Sequence, residues 1–337
     1  MNSQSLGASQ AASIPDPKAL WSRDLVSIRD LSPQEVSAVL ELTALMKARP
    51  ADFRGALSGK QLVMFFEKPS LRTRLTFEAG MAGLGGVSFF VDQTHGRLDA
   101  REKLSDIARN LERWVDVIVL RTFAHSTIEQ MAEFASIPVV NALSELEHPC
   151  QALADYFSLL EKFGSVKDLT LAFVGDGNNV AHSLLLTCAA LGSSIRIATP
   201  DGYEPDRDLL ADAREIASET GATIDLFHDP HEAVSGVDAV YTDTWTSMGQ
   251  EQEEEQRARS FAPYQVNQEL MALASPDAVF MHCLPAHRGL EVTDAVIDSP
   301  RSIVFDQAEN RMHVQKAILL LLLGGGMGRF PMRSAHA

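Results

Sequence analysis

Leu62-Val63-Met64-Phe65-Phe66-Glu67-Lys68-Pro69-Ser70-Leu71-Arg72-Thr73-Arg74 runs from five apolar residues through a polar turn into the helix-compatible stretch Leu75 to Leu84. A short apolar run bounded by turn residues and followed by a helical segment reads as a buried strand feeding a helix. The pattern recurs at Val87 to Val91, Val117 to Leu120 and Ile137 to Val140. A second series follows at Leu169 to Val174, Ser194 to Ala198, Thr223 to Phe227, Ala239 to Thr242, Ala278 to Met281 and Ile303 to Phe305. Strands alternating with helices predict an α/β protein with parallel sheets. The apolar-periodic stretch Gln151 to Phe163, ahead of Gly164 and Ser165, reads as one long helix between the two series. The expected fold is therefore α/β: two doubly wound parallel-sheet domains joined by a long helix.

Ser32-Pro33-Gln34-Glu35 supplies a hydroxyl cap, a proline at the first helical position and a glutamate placed to reach back. At the other end a helix from about Glu309 to Leu323 is too apolar to stand alone and is expected to pack back across the first domain. The expected divisions are a disordered leader over 1–20, a first domain over 21–150, a second over 151–308, and a returning helix over 309–337.

The whole chain has 337 residues, 45% hydrophobic and 22% charged, an ordinary composition for a folded protein. Lys plus Arg at 29 against Asp plus Glu at 45 leaves a net charge of −16, which disfavours a broad basic surface for nucleic acid. A local cation cluster for an anionic small molecule stays open. Three widely spaced cysteines, Cys150, Cys188 and Cys283, read neither as a disulfide framework nor as a zinc site, and fit a reducing cytoplasm. The longest apolar run, Ala317 to Leu323, is much too short for a membrane span. The first fifteen residues lack Arg and Lys and match neither a signal nor a transit pattern. Gln250 to Glu255 reads as a solvated acidic face rather than a metal site.

In open parallel sheets, ligands bind beyond the carboxyl ends of strands. Polar clusters fall there after Phe66, Leu120, Val140, Val174, Thr242 and Met281. The turn before Leu75 offers backbone N–H groups, the hydroxyls of Ser70 and Thr73 and the guanidinium of Arg72, the makings of a phosphate cradle, though a helix start with solvated arginines is the plain alternative. Arg121 lies just past the third strand, and His148 and Gln151 share one face of a helix start, where they could neutralise a phosphate and polarise a carbonyl. Gly175-Asp176-Gly177-Asn178-Asn179 suggests a dinucleotide turn, but Val180 occupies the third glycine position. Asn179 is instead a neutral donor for a carboxylate, and Asp243-Thr244-Trp245-Thr246-Ser247-Met248-Gly249 offers a carboxylate and hydroxyls for an ammonium. Cys283 lies beside His282, yet neighbours on a strand face opposite ways, which disfavours a covalent cysteine mechanism.

Together these clusters resemble the ornithine carbamoyltransferases of the aspartate/ornithine carbamoyltransferase superfamily, from about Asp24 to Leu323. The Ser-x-Arg-Thr-Arg motif stands at Ser70 to Arg74 and His-Pro-x-Gln at His148 to Gln151, both shared with aspartate carbamoyltransferases. Ser247-Met248-Gly249 and His282-Cys283-Leu284-Pro285 are the ornithine-type features. The resemblance implies a carbamoyl phosphate shell of Ser70, Leu71, Arg72, Thr73, Arg97, Arg121, His148, Gln151, Cys283, Leu284 and Arg311 in the first domain and its borders. It implies an ornithine shell of Asn179, Asp243, Ser247 and Met248 in the second. Arg121, His148, Asp243 and Cys283 are the expected catalytic residues.

The implied reaction is attack by the ornithine δ-amine on carbamoyl phosphate, giving citrulline and phosphate without metal or organic cofactor. A homotrimer with shared sites is the implied assembly, with no nucleic acid or membrane partner. Leu71 stands where many relatives have threonine, and Arg97 near where many place a glutamine delivered from the adjacent subunit. A sibling transferase for N-acetylornithine or putrescine is the nearest alternative, but a blocked amine leaves Asp243 idle and putrescine has no carboxylate for Asn179. A nucleotide-binding oxidoreductase and a non-catalytic binder are the alternatives from other classes.

Overall fold

The computed structural model describes residues 20–92, 98, 100, 102–246 and 251–324. The helix α1 (Pro33–Ala48) opens on the expected capping box, with Ser32 Oγ accepting from the Glu35 N–H and the Glu35 carboxylate accepting from the Ser32 N–H at 2.8 Å. Then come β1 (Gln61–Phe66), α2 (Leu71–Gly83), β2 (Val87–Asp92), α3 (Leu104–Leu111), β3 (Val117–Arg121), α4 (His125–Phe134) and β4 (Val139–Leu143). Their four strands form a parallel sheet in the order β2-β1-β3-β4. The inner strands β1 and β3 are buried almost throughout, as parallel strands covered on both faces must be. Beside β4, Leu25 exchanges backbone bonds with Val139 and Asn141 and so covers its open edge.

The long helix α5 (Pro149–Phe163) starts two residues before the expected span, with Pro149 at its first position, and stops at Gly164, whose φ of 78° is the left-handed conformation glycine accepts freely. Beyond it lie β5 (Thr170–Val174), α6 (Asn179–Leu191), β6 (Ser194–Ala198), α7 (Arg207–Thr220), β7 (Ile224–Phe227), α8 (Pro230–Val234) and β8 (Ala239–Thr242). The chain continues through α9 (Glu254–Phe261), α10 (Gln268–Met271), β9 (Val279–His282), α11 (Asp294–Ile297) and α12 (Val304–Leu323). The second sheet is parallel throughout, in the order β7-β6-β5-β8-β9.

One expected strand is absent. Ile303 to Phe305 pairs with β9 only through the neighbouring Ser302–Phe280 bridge, and Ile303 caps α12 instead. Phe305 is 70% exposed, so this triplet, although apolar, is not buried as a sixth inner strand would be. The final helix therefore begins at Val304 rather than near Glu309. It packs on α5, α2 and α1, as its apolar length demands, and one hydrophobic cluster runs without a break from α1 through α5 and α12 to β5. Within the expected leader only Leu20 is described, and it is buried. No helix among the described residues is long and apolar enough to cross a membrane.

Candidate active site

Parallel register brings the carboxyl ends of neighbouring strands level: Phe66 lies beside Arg121, Val174 beside Thr242, and Thr242 beside His282. The loops from both sheets meet at a cavity of about 380 Å³ between them. Ser70, Leu71, Arg72, Arg121, His148, Asn179, Asp243, Cys283, Leu284 and Arg311, all expected from sequence, line it. Thr73 and Gln151 are fully buried and do not line it. Arg97, Ser247 and Met248 lie outside the described residues.

One side of the cavity is cationic. Ser70 caps α2, its Oγ accepting from the Thr73 N–H, so the first turn of the helix presents its positive end to the cavity. Arg311 reaches in from α12 and donates Nη2–H to Thr73 Oγ1 at 2.6 Å, while Arg121 donates Nε–H to the Lys68 carbonyl at 3.2 Å. The Nε atoms of Arg72 and Arg311 are buried with no hydrogen-bond partner among the described residues. Burial, reinforced by the charges of Arg311 and Arg72, pushes the Arg121 guanidinium down to about 9. Like charges converging out of water need an anion between them. Arg74 takes no part: it pairs with Glu78 and stacks on Phe90.

His148 caps α5 and is buried, with its N–H donated to Ser183 Oγ. Burial first, then Arg311 and Arg121, holds its imidazole well below the usual histidine range, so the ring is neutral. Behind it, Gln151 gives Nε2–H to Asp155 Oδ1 at 2.7 Å, and Gln307 gives Nε2–H to the same oxygen at 2.9 Å. Sequence reading missed Asp155. A carboxylate four residues beyond Gln151 in an amphipathic helix reads as a solvent-facing charge, and its burial depends on tertiary packing, with Gln307 of α12 among its neighbours.

The opposite side carries a carboxylate. Asp243 Oδ1 accepts the Cys283 thiol hydrogen at 3.0 Å, and Oδ2 accepts from Asn178 Nδ2 at 2.9 Å. Burial and the neighbouring Asp243 charge push the Cys283 thiol well above its usual range, which keeps it protonated and unsuited to nucleophilic attack. Asn179 spends one amide N–H on the Ser144 carbonyl at 2.6 Å and keeps the other. Asn178, the cap of α6, was not anticipated as a partner of Asp243. Nor was Lys68, which lines the cavity and stacks its ammonium on Phe123. Thr244, Thr246 and His287 line the cavity as well.

The segment past Asp243 is anchored by Arg257, whose Nε–H is donated to the Trp245 carbonyl and whose Nη2 pairs with Asp176 while the guanidinium stacks on Tyr203 and Phe261. Gly177 is explained without any nucleotide: a Cβ there would meet the Pro205 nitrogen at 2.3 Å, because the backbones touch. Asp243, His282 and Cys283 lie close enough to share a cation, but both imidazole nitrogens of His282 are already bonded, to the Leu284 N–H and to Glu291.

A cleft between two parallel sheets, cationic toward the first and carrying a carboxylate from the second, defines a two-domain α/β protein built to bring an anionic group against an ammonium-bearing one. The chain belongs to the aspartate/ornithine carbamoyltransferase family: residues 23–161 match its carbamoyl-P binding domain and residues 167–322 its Asp/Orn binding domain. It is 49% identical over 309 residues to the ornithine carbamoyltransferase of Pyrococcus abyssi, covering 91% of this chain and 98% of that one. To the protein of that name in Shewanella oneidensis it is 50% identical over 300 residues, with 89% and 99% covered. Among solved structures it is similar to ornithine carbamoyltransferase from Pyrococcus furiosus, with a TM-score of 0.88, 48% identity and coverage of 91% and 99%. The ornithine carbamoyltransferase of Thermus thermophilus gives a TM-score of 0.81 at 47% identity, covering 89% and 98%.

Proposed function

We propose that the protein is an ornithine carbamoyltransferase, and that one observation carries the substrate assignment: Asp243, held by Asn178 and Cys283, faces the Arg72, Arg121 and Arg311 cluster across a single cavity. The three guanidiniums and the start of α2 take the phosphate of carbamoyl phosphate. Arg121 and neutral His148 polarise the carbonyl as it becomes tetrahedral, while Thr73, buried behind the cavity, holds Arg311 in place. Asn179 and the Met248 backbone take the ornithine α-carboxylate, and Asp243 and Ser247 the α-ammonium. The δ-nitrogen forms a bond to the carbonyl carbon, the carbon–oxygen bond to phosphate breaks, and citrulline and phosphate result. Because the Cys283 thiol already carries its proton and donates it to Asp243, we assign it to orienting the amine, and the proton lost from nitrogen goes to Asp243 or the departing phosphate. The carbamoyl group arrives activated as a mixed anhydride, so the transfer requires no cofactor.

Residues 21–150 form the carbamoyl phosphate domain and 151–308 the ornithine domain in this reading, with 309–337 returning to the first. A homotrimer with shared sites is supported by exposed Leu71 and Leu75 on α2 and exposed Val87 and Phe89 on the edge strand β2, apolar surface that a neighbouring subunit would cover. Leu98, next to Arg97, donates its N–H to Glu67 Oε1 at 3.1 Å, just past the end of β1. We place the protein in the cytoplasm, a reading supported by three free cysteines. A colorimetric assay of ureido product with a panel of amines tests the function. Citrulline formation from ornithine is expected; preference for N-acetylornithine, putrescine or aspartate would overturn the assignment.

A further inference from the structure

His282 and Glu291 are both completely buried behind the cavity wall, and neither lines the cavity. The backbone N–H of Leu284 meets His282 Nδ1 at 2.9 Å, and Nε2 faces Glu291 Oε1 at 3.1 Å. A backbone N–H can only donate, so Nδ1 carries the lone pair and Nε2 the hydrogen that Glu291 accepts. The same Glu291 oxygen accepts the His287 N–H at 2.5 Å. The loop between is thus tied at both ends to one imidazole–carboxylate pair, and it presents Leu284, Pro285 and His287 to the cavity. Leu284 has a φ of 59°, a left-handed conformation that a leucine avoids unless its surroundings hold it. Upstream, the His282 N–H is donated to Gln307 Oε1 on α12, one turn before Arg311.

We propose that His282 and Glu291 are positioning residues for carbamoyl transfer: the carboxylate fixes the imidazole tautomer, and the imidazole holds the Leu284 amide so that Cys283 and Leu284 keep their places beside the reacting carbon. This rests on the transferase reading above. Neither residue touches substrate, and their effect is read through the wall they hold.

The test compares His282→Asn with His282→Gln in the full-length protein. Asparagine puts an amide oxygen near the place of Nδ1, where it can accept from Leu284; glutamine carries its amide out toward Nε2 and leaves Leu284 without an acceptor. His282→Gln is expected to lower kcat on the order of ten- to hundredfold, the cost of orphaning a buried amide, with His282→Asn recovering most of the loss. Hydrogen exchange at the Leu284 amide is read alongside, without reference to activity. It is expected to be slow in the unsubstituted protein and in His282→Asn, and fast in His282→Gln. Equal kcat losses in both variants, or free exchange at Leu284 in the unsubstituted protein, overturn the proposal; should His282→Gln fail to fold, the exchange in the other two proteins decides. A protein that makes no citrulline yet shows the expected exchange pattern sinks the transferase reading and leaves the clamp standing as a structural device only.

Discussion

Cys283 and Asp243 come from neighbouring strand ends and share one hydrogen at 3.0 Å, with the thiol as donor. That direction matters, because a thiol held protonated beside a carboxylate orients a substrate and does not attack it. Cys283→Ser retains a donor with a shorter reach. It is expected to reduce kcat/KM for ornithine roughly two- to tenfold, the scale of one neutral hydrogen bond, while carbamoyl phosphate binding changes less. Mass spectrometry checks the mechanism, since a carbamoylated Cys283 that goes on to product would refute direct transfer.

Arg72 has a buried Nε with no partner among the described residues, at the positive end of α2. Removing a charge-assisted contact of this kind should cost carbamoyl phosphate about ten- to hundredfold in affinity, corresponding to about 1.5–3 kcal/mol. Calorimetry on Arg72→Ala reads this directly. An unchanged dissociation constant would show that the cradle lies elsewhere.

Asp155 gives a prediction in pH. Burial raises its carboxyl from the ordinary 3.8 to about 6, against the opposing pull of its bonds to Gln307 and Gln151. The folded state therefore holds this proton more tightly than the unfolded chain. The resulting stability is present below pH 3.8, is lost as pH rises toward 6, and above that leaves a buried charge costing on the order of 3 kcal/mol. Asp155→Asn keeps an oxygen for both glutamines and has nothing to titrate. Thermal unfolding should find it more stable than the parent at pH 8, with the gap closing as pH falls toward 4; a pH-independent gap would remove Asp155 as a titrating group. Turnover should fall even so, because Arg311 loses a nearby negative charge.

If Arg97 completes a neighbour's site, Arg97→Ala and Arg72→Ala subunits should complement one another. Each parent trimer would be impaired, and mixed trimers would contain some sites with both arginines intact. Recovery of activity on mixing and reassembly is the expected result. No recovery in verified hybrids, or full activity in an isolated monomer, would exclude shared sites.

Much of this arrangement is legible in the sequence, because strand, turn and helix signals coincide with the cavity residues Ser70, Leu71 and Arg72 and with His148. What escapes has identifiable causes. Ile303 to Phe305 is too short an apolar run to tell a strand from a helix start, and α12 claims it. Asn178 and Asn179 are indistinguishable as donors in sequence, yet the helix start turns the first toward Asp243 and the second toward Ser144. Gln151 was expected at the ligand, but Asp155, brought against it by burial, engages its amide N–H. Arg257 belongs to no motif that the sequence displays. Its guanidinium is buried against Tyr203 and paired with Asp176, contacts with elements far apart in sequence that no local pattern encodes.

The bond between Arg311 and Thr73 joins residues 238 positions apart. During synthesis, Thr73 and the rest of the first sheet leave the ribosome while α12 is still untranslated, so the nascent first domain has an open flank and an anion site one arginine short. Domains ordinarily fold in the order they emerge. Here the last helix both seals the earliest core and supplies part of its charge, so a ribosome that stalls before α12 releases a fragment that cannot assemble the site. Full-length translation is thus a condition of competence written into the topology, since a chain ending before α12 leaves apolar surface of the shared core uncovered.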